Sequence, residues 1–289
     1  MQKIAVQCAS GIGDALLMLI ASETWKQRGA SVTTLTPHYK QLSPLFPHHH
    51  LAPRGPIDPS YDLIILQNDN QSLHLIKTDR ERLSIFYPTY EAHRHPPLSD
   101  KDVPFNPRQT MVKNIMQAVG APNSYNGLVL DPKLIFRKYP HRTLIHPTSA
   151  DPSHIYPRAR FLKLAKKLQR QGREVHFIVA PHEKEAWEEI PYPLHAMSLQ
   201  DLSSFLYESG QLIGNESGPA HLASNVGIPT IMIGSCPKRL KLWQPDFTPA
   251  TALTPPLWIP NLKGFRLRTT YWHSFIPIGK VVRALKSSD

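Results

Sequence analysis

The run Asn215-Glu216-Ser217-Gly218-Pro219-Ala220-His221-Leu222 sets a short turn between an apolar strand and a helix. A Ser-Gly-Pro turn that opens a helix presents backbone N–H groups and a positive dipole end, a seat for phosphate oxygens. Pro219 fits the first helical turn, where its missing N–H costs nothing. A second group, Ser10-Gly11-Ile12-Gly13-Asp14, lies near the N-terminus. Its two glycines allow a sharp turn and close approach of a ligand, and Asp14 projects from the start of the following helix. A carboxylate there could take the proton of a sugar hydroxyl as its oxygen attacks, or it could do no more than cap the helix. A short Gly-x-Gly turn leaves both roles open.

Other residues offer weaker chemistry. His146-Pro147-Thr148-Ser149 ends a strand and presents hydroxyls and N–H groups to a phosphate, or caps the helix that begins near Arg158. His182-Glu183-Lys184-Glu185 follows another strand, where a carboxylate holds ribose hydroxyls in dinucleotide folds. An acidic helix start explains it equally well. His221, one turn into its helix, reads by itself as a core histidine. His48-His49-His50 has nothing nearby to complete a metal-ligand set. Asp100-Lys101-Asp102 matches the two-carboxylate spacing of metal-dependent sugar transferases, but it lies in a Pro-rich loop with no strand before it and reads as chance. No metal and no cofactor are expected.

The elements that position these groups alternate strand and helix. Strands are expected at residues 3–8, 32–36, 62–66 and 83–86, with a largely buried helix from Asp14 to about Arg28. Val112, Ile115, Met116 and Val119 give the helical i, i+3, i+4, i+7 set, with Gly120 as its stop. The second half repeats the pattern: strands at 143–146, 175–179, 211–214 and 230–233, and helices around 161–168, 182–190, 199–206 and 220–226. A loop with three cations and Trp243 follows the last of these strands, and Ile278, Val281, Val282 and Leu285 form a final amphipathic helix. Continuous apolar strands suit parallel sheets covered on both faces. The expected fold is α/β, with two Rossmann-like domains facing a cleft and ligands at the carboxyl ends of the strands. The domains are placed at 1–135 and 140–275, with helix 276–289 packing back on the first, and the link falls within 122–139.

Composition narrows the partners. The 289 residues are 41% hydrophobic and 19% charged, a globular balance. No apolar run reaches a membrane span, and residues 14–20 are too short a run for a signal peptide, so a cytoplasmic protein is expected. Two cysteines, Cys8 and Cys236, make no disulfide framework. A formal charge of +11 points to an anionic partner. No RNP-like, helix-turn-helix or zinc-finger pattern favours nucleic acid; an anionic lipid surface or a phosphorylated glycolipid fits as well. Arg80, Arg82, His93, Arg94 and His95 flank the aromatic run 86–90, and Lys263, Arg266, Arg268, Lys280, Arg283 and Lys286 load the C-terminal region.

Taken in order, several stretches resemble the heptosyltransferase family of glycosyltransferases, family 9, which transfers ADP-heptose to the inner core of lipopolysaccharide. Gly11-Ile12-Gly13-Asp14 is similar to its N-terminal Gly-Asp element, and Tyr61-Asp62-Leu63-Ile64-Ile65-Leu66-Gln67 to its Tyr-Asp-x-x-Ile-x-x-Gln strand. His146-Pro147-Thr148-Ser149 resembles its donor-phosphate loop, Tyr156-Pro157 its Trp-Pro, and Pro181-His182-Glu183 its ribose turn. Residues 215–222 resemble its Asn-Asp-Ser-Gly-Pro-x-His-Leu stretch.

The resemblance implies a GT-B fold and a metal-free, inverting displacement with Asp14 as base. It implies a donor site of Thr148, Ser149, His154, Glu183, Glu216, Ser217, Gly218, Pro219 and His221. Gly11, Gly13 and Gln67 would face the acceptor, and Arg80 and Arg82, on charge alone, would meet phosphates of the lipid acceptor. The implied partners are a nucleotide sugar, ADP-heptose, and an anionic glycolipid at the inner face of the cytoplasmic membrane. The protein is expected to bind there peripherally, as a monomer, without nucleic acid. Three departures bear on the donor: His154 stands where the family has a phosphate-binding lysine, Glu216 where it has Asp, and the C-terminal cysteine cluster is absent. Alternatives are a transferase of this fold with another donor or acceptor, or a non-catalytic sugar- or nucleotide-binding relative.

Overall fold

The computed structural model describes residues 1–69, 80–151, 154–262 and 266–286. Lys263 lies outside them. The chain divides into two compact units, Met1–Val129 and Leu130–Asp289.

In the first unit, β1 (Lys3–Gln7) runs into α1 (Ile12–Gln27), followed by β2 (Ser31–Leu35), the short α2 (Tyr39–Leu42), β3 (His50–Ala52), β4 (Leu63–Gln67), β5 (Leu83–Tyr87), β6 (Val103–Pro104) and α3 (Met111–Val119). The sheet order is β3-β2-β1-β4-β5-β6, every pair parallel. Helix α1 is buried on most sides from Ala15 to Thr24, because it is covered by the sheet and by α3. Thr110 caps α3 by accepting the Lys113 N–H, and Gly120 ends it in the left-handed conformation (φ 61°) that a side chain disfavours.

The second unit contains β7 (Tyr139–His146), α4 (Arg158–Gln169), β8 (Glu174–Val179), β9 (Leu194–Ala196), α5 (Leu199–Tyr207), β10 (Ser209–Asn215), α6 (Gly218–Asn225), β11 (Thr230–Ile233), α7 (Pro237–Trp243), β12 (Thr251–Leu253), α8 (Leu267–Thr270) and α9 (Ile278–Lys286). Its order, β12-β11-β10-β7-β8-β9, is again wholly parallel. Both sheets have the doubly wound order, in which the first and fourth strands are neighbours and the chain leaves them in opposite directions. The crevice opened there lies beyond the carboxyl ends of β1 and β4 in one unit and of β7 and β10 in the other. The α/β class and the two Rossmann-like sheets follow the sequence expectation.

Two local expectations need correction. Residues 182–190 do not form one helix but two single turns of 3-10 helix, Pro181–Glu183 and Glu185–Trp187. The cationic loop after β11 is instead helical over Pro237–Trp243, with Pro237 in its first turn, a position where its fixed φ suits a helix. Val281, Val282 and Leu285 of α9 lie in the second unit's core with Phe161, Leu164, Leu168 and Trp272. That apolar stripe completes a core already formed by α4 and β11.

Candidate functional site

In the first unit, Gly11 is the N-cap of α1 in extended backbone (φ −84°), so its importance is not conformational freedom. Asp14, three residues on, turns its carboxylate back so that Oδ2 accepts the Gly11 N–H at 3.1 Å. A Cβ on residue 11 would lie 2.6 Å from that oxygen. Gly11 therefore makes room for the carboxylate. From the neighbouring strand end, Gln67 Nε2 donates a short hydrogen bond to Asp14 Oδ1, while Gln67 Oε1 accepts the Ala9 N–H at 3.3 Å. Gln67 thus ties the β1 loop to β4 across the crevice and fixes one face of Asp14. His38 braces the same loop, its Nε2 lying 2.8 Å from the Ser10 carbonyl oxygen. Gly13 is buried inside α1. Cys8 is fully buried beneath this turn; burial raises its thiol far above the usual range, and the Asp14 charge adds to the effect.

The remaining residues read as facing the acceptor are occupied within the first unit. Arg80 forms a bidentate pair with Asp102 and also donates to the Pro97 carbonyl. Burial acts to raise the Asp102 carboxyl, but hydrogen bonds from Arg80 and from the Ser99 and Ile85 N–H groups outweigh it and hold the group below the ordinary carboxylate range. This explains Asp100-Lys101-Asp102: its second carboxylate is a buried structural acceptor. Arg82 donates to the carbonyls of Pro59 and Tyr61 at 2.7 and 3.1 Å. His49 is buried beside Glu23, 3.1 Å away, and burial pushes its imidazole down to about 4. Among the described residues no group of three or more His, Cys, Asp or Glu side chains is arranged to hold a metal ion.

In the second unit, four strand ends converge. The loop after β7 is held by Asn215 at the end of β10: its Nδ2 donates to the Pro147 carbonyl at 2.8 Å, and its Oδ1 accepts the Tyr156 N–H at 2.9 Å. Ser149 Oγ donates to the Glu216 carbonyl at 2.9 Å. Tyr156 is buried and sends its hydroxyl to the Ile276 carbonyl. Glu183, beyond β8, accepts from the Ala180 N–H (2.8 Å) and from Thr148 Oγ1 (2.9 Å), both on Oε2. His146 Nε2 stands 3.2 Å from Thr148 Oγ1.

Two departures acquire local explanations. The Glu216 carboxylate is held by Arg239 of α7, with Nε at 2.9 and 3.0 Å from its two oxygens and Nη2 at 2.7 Å. Sequence reasoning missed Arg239. The available signal is the cation cluster Lys238, Arg239 and Lys241, whose sequence reads as a loop. His154 bonds through Nδ1 to Ser235 Oγ beyond β11, and its Nε2 lies 3.3 Å from Asp151 Oδ2.

Ser217 is the N-cap residue of α6, yet its hydroxyl makes no capping bond. The Ser217 Oγ is buried and has no hydrogen-bond partner among the described residues. The Nδ1 atoms of His146 and His221 are in the same position, and burial pushes both imidazoles down to about 4, with the Glu183 charge opposing the shift at His146. Both rings are therefore neutral at pH 7. Buried polar atoms without partners are uncommon in folded proteins, which marks these three as atoms that a bound ligand or water would satisfy. Gly218 and Pro219 form the first turn of α6, so their backbone lies at its positive end.

Residues 130–248 match the family model described as Glycosyltransferase family 9 (heptosyltransferase). No curated protein matches the chain in sequence. Among solved structures, the chain is similar to the glycosyl transferase family 9 protein from Veillonella parvula DSM 2008. The identity is 16%, over 99% of this chain and 96% of that one, with a TM-score of 0.70. It is similar to E. coli ADP-heptose lps heptosyltransferase II at 14% identity, over 99% and 98% of the two chains, with a TM-score of 0.71. It is also similar to E. coli heptosyltransferase WaaC, solved with ADP-2-deoxy-2-fluoro heptose, at 13% identity over the full length of both chains and a TM-score of 0.67. At such identities these likenesses speak for the fold.

Proposed function

We propose, from the premise that residues 130–248 form a glycosyltransferase family 9 (heptosyltransferase) domain, that the protein is an inverting glycosyltransferase. It moves a heptose or related sugar from a nucleotide donor, ADP-heptose, to an anionic lipopolysaccharide-type acceptor at a membrane surface. The observation that carries this reading is the buried, unpartnered Ser217 hydroxyl at the start of α6. A donor diphosphate would supply the acceptor that Ser217 lacks, and the first amides of α6 would share its charge. Glu183, fixed through Oε2 by Ala180 and Thr148, would meet ribose hydroxyls. WaaC, the similar fold solved with an ADP-heptose analogue, supports the choice of donor.

The chemistry is one displacement. The acceptor hydroxyl oxygen attacks the anomeric carbon, its proton passes to the Asp14 carboxylate, and the bond to the diphosphate oxygen breaks with both electrons on the leaving nucleoside diphosphate. Configuration inverts because attack and departure occupy opposite faces. The α6 N-terminus and Ser217 stabilise charge that grows as the bond breaks, so they act more strongly on the transition state than on bound substrate. Asp14 is suited to the base role by the Gly11 N–H and Gln67 Nε2 donors, which orient its carboxylate.

The test is incubation with ADP-heptose and heptose-deficient lipopolysaccharide, followed by mass spectrometry of the lipid. The expected result is a gain of one heptose that is lost in Asp14→Asn. Absence of transfer from any of a panel of nucleotide sugars would overturn the reading. A second reading, the same reaction with a different donor, is favoured by Arg239 on Glu216 and by the engagement of His154 with Ser235. It predicts transfer from a member of that panel other than ADP-heptose.

A further inference from the structure

Between β12 and α9 the chain places large apolar side chains in water. Leu257 is 72% exposed, Trp258 80%, Leu262 70% and Tyr271 53%. They are not on a loose strand. Ile259 is buried and its N–H donates to the Pro256 carbonyl; Arg268 Nη1 donates to the Leu257 carbonyl at 2.7 Å, and the Arg268 N–H to the Pro260 carbonyl at 3.1 Å. Asn261 Oδ1 accepts from Thr269 Oγ1 at 2.8 Å. These bonds brace residues 257–262 against α8, so the segment holds its backbone polar groups inward and its Leu and Trp side chains outward. Contiguous exposed apolar patches with a polar rim mark interaction sites.

The residue types select the partner. Trp and Tyr favour the water–membrane interface, where an aromatic body meets hydrocarbon and a polar edge meets headgroups. Arg266, exposed at the start of α8, and Arg268 add positive charge to a chain of net charge +11. Arg side chains bury their stems while the guanidinium reaches phosphate. No described helix is long and apolar enough to cross a membrane, so attachment by this means is to one face. We propose that Leu257, Trp258, Leu262 and Tyr271, rimmed by Arg266 and Arg268, form a docking surface that inserts into the interface of an anionic lipid bilayer. This surface gives a location to the membrane contact invoked above, yet it needs neither a donor nor the transfer reaction.

The experiment is co-sedimentation of the full chain, without any nucleotide sugar, with vesicles of phosphatidylcholine alone and of phosphatidylcholine mixed with phosphatidylglycerol. Binding is expected to the mixed vesicles, and the double variant Leu257→Ser/Trp258→Ser is expected to lower partitioning about tenfold or more. Arg266→Gln is expected to weaken binding to the mixed vesicles only. A blue shift of tryptophan emission on vesicle addition, absent in Trp258→Phe, would place that side chain in the interface. The idea is overturned if the wild type ignores both vesicles, or if the double variant, folded by circular dichroism, binds as well as wild type. It is also overturned if light scattering shows a self-associated protein that the double variant disperses, with no vesicle binding. Failure of heptose transfer leaves the vesicle result standing, so the two readings fall separately.

Discussion

Asp14 folds its carboxylate back onto the N–H of Gly11 at 3.1 Å, and Gly11 has no side chain because one would collide with that carboxylate. The two residues form one device. Asp14→Asn keeps the shape and removes the basicity, so turnover is expected to fall by about 10³-fold. Thermal midpoint should change little. Gly11→Ala displaces the carboxylate without removing it, and a rate loss of about tenfold or more is expected from misplacement alone. Steady-state kinetics beside a thermal melt separates these from unfolding; equal loss of activity and stability would count against the base assignment.

Ser217→Ala offers an unusual combination. Because the hydroxyl has no hydrogen-bond partner among the described residues, its removal is expected to leave stability unchanged or slightly raised. If that hydroxyl meets a diphosphate, affinity for ADP should fall about tenfold, the size of a lost hydrogen bond to a charged group. Calorimetric titration with ADP checks the second outcome and urea unfolding the first.

Arg80→Ala should behave as a structural variant. Asp102 is fully buried at its side chain, while Arg80 is 28% exposed. Removing the cation leaves a buried carboxylate with only two backbone donors, for a cost of about 3 kcal/mol, at the low end for a broken buried pair. In the Asp102→Asn background the same change should cost much less. A double-mutant cycle by urea unfolding measures the difference.

His146 and His221 make stability depend on pH in a fixed direction. Each is held neutral by burial, with its folded value pushed down to about 4, below the ordinary value of about 6.5. Between those values the unfolded chain binds more protons than the folded one. The stabilisation is therefore complete above about pH 6.5 and is lost as pH falls toward about 4. From about pH 6.5 to about pH 5 each ring is expected to remove about 2 kcal/mol. Urea midpoints across this range test the slope, and His221→Asn should flatten it.

The sequence was most legible where backbone pattern and chemistry coincide. Continuous apolar strands, the helix-opening turn at Ser217 and the carboxylate at Asp14 located both crevices, because the doubly wound order puts loop chemistry at strand ends. Partnership was not legible. Nothing in the spacing of Arg80 and Asp102 announces a buried pair 22 residues apart. Nor does the sequence bring Arg239 to Glu216, since that contact depends on α7 being a helix, and a seven-residue cationic segment carries too little periodicity to show one. The short edge strands β3, β6, β9 and β12 also escaped, being two or three residues long and paired on one side only. Their conformation comes from the neighbouring strand and not from their own residues.

The single amide of Asn215 fastens both Pro147 and Tyr156. A segment tethered at two such points to the end of an interior strand loses little freedom when a guest arrives, which favours tight capture, but it has little room to accommodate a guest of different outline. Under the proposed function, selectivity on that side would be set by stiffness: enlarging the repertoire of sugars would require loosening Asn215 before redesigning anything the sugar touches.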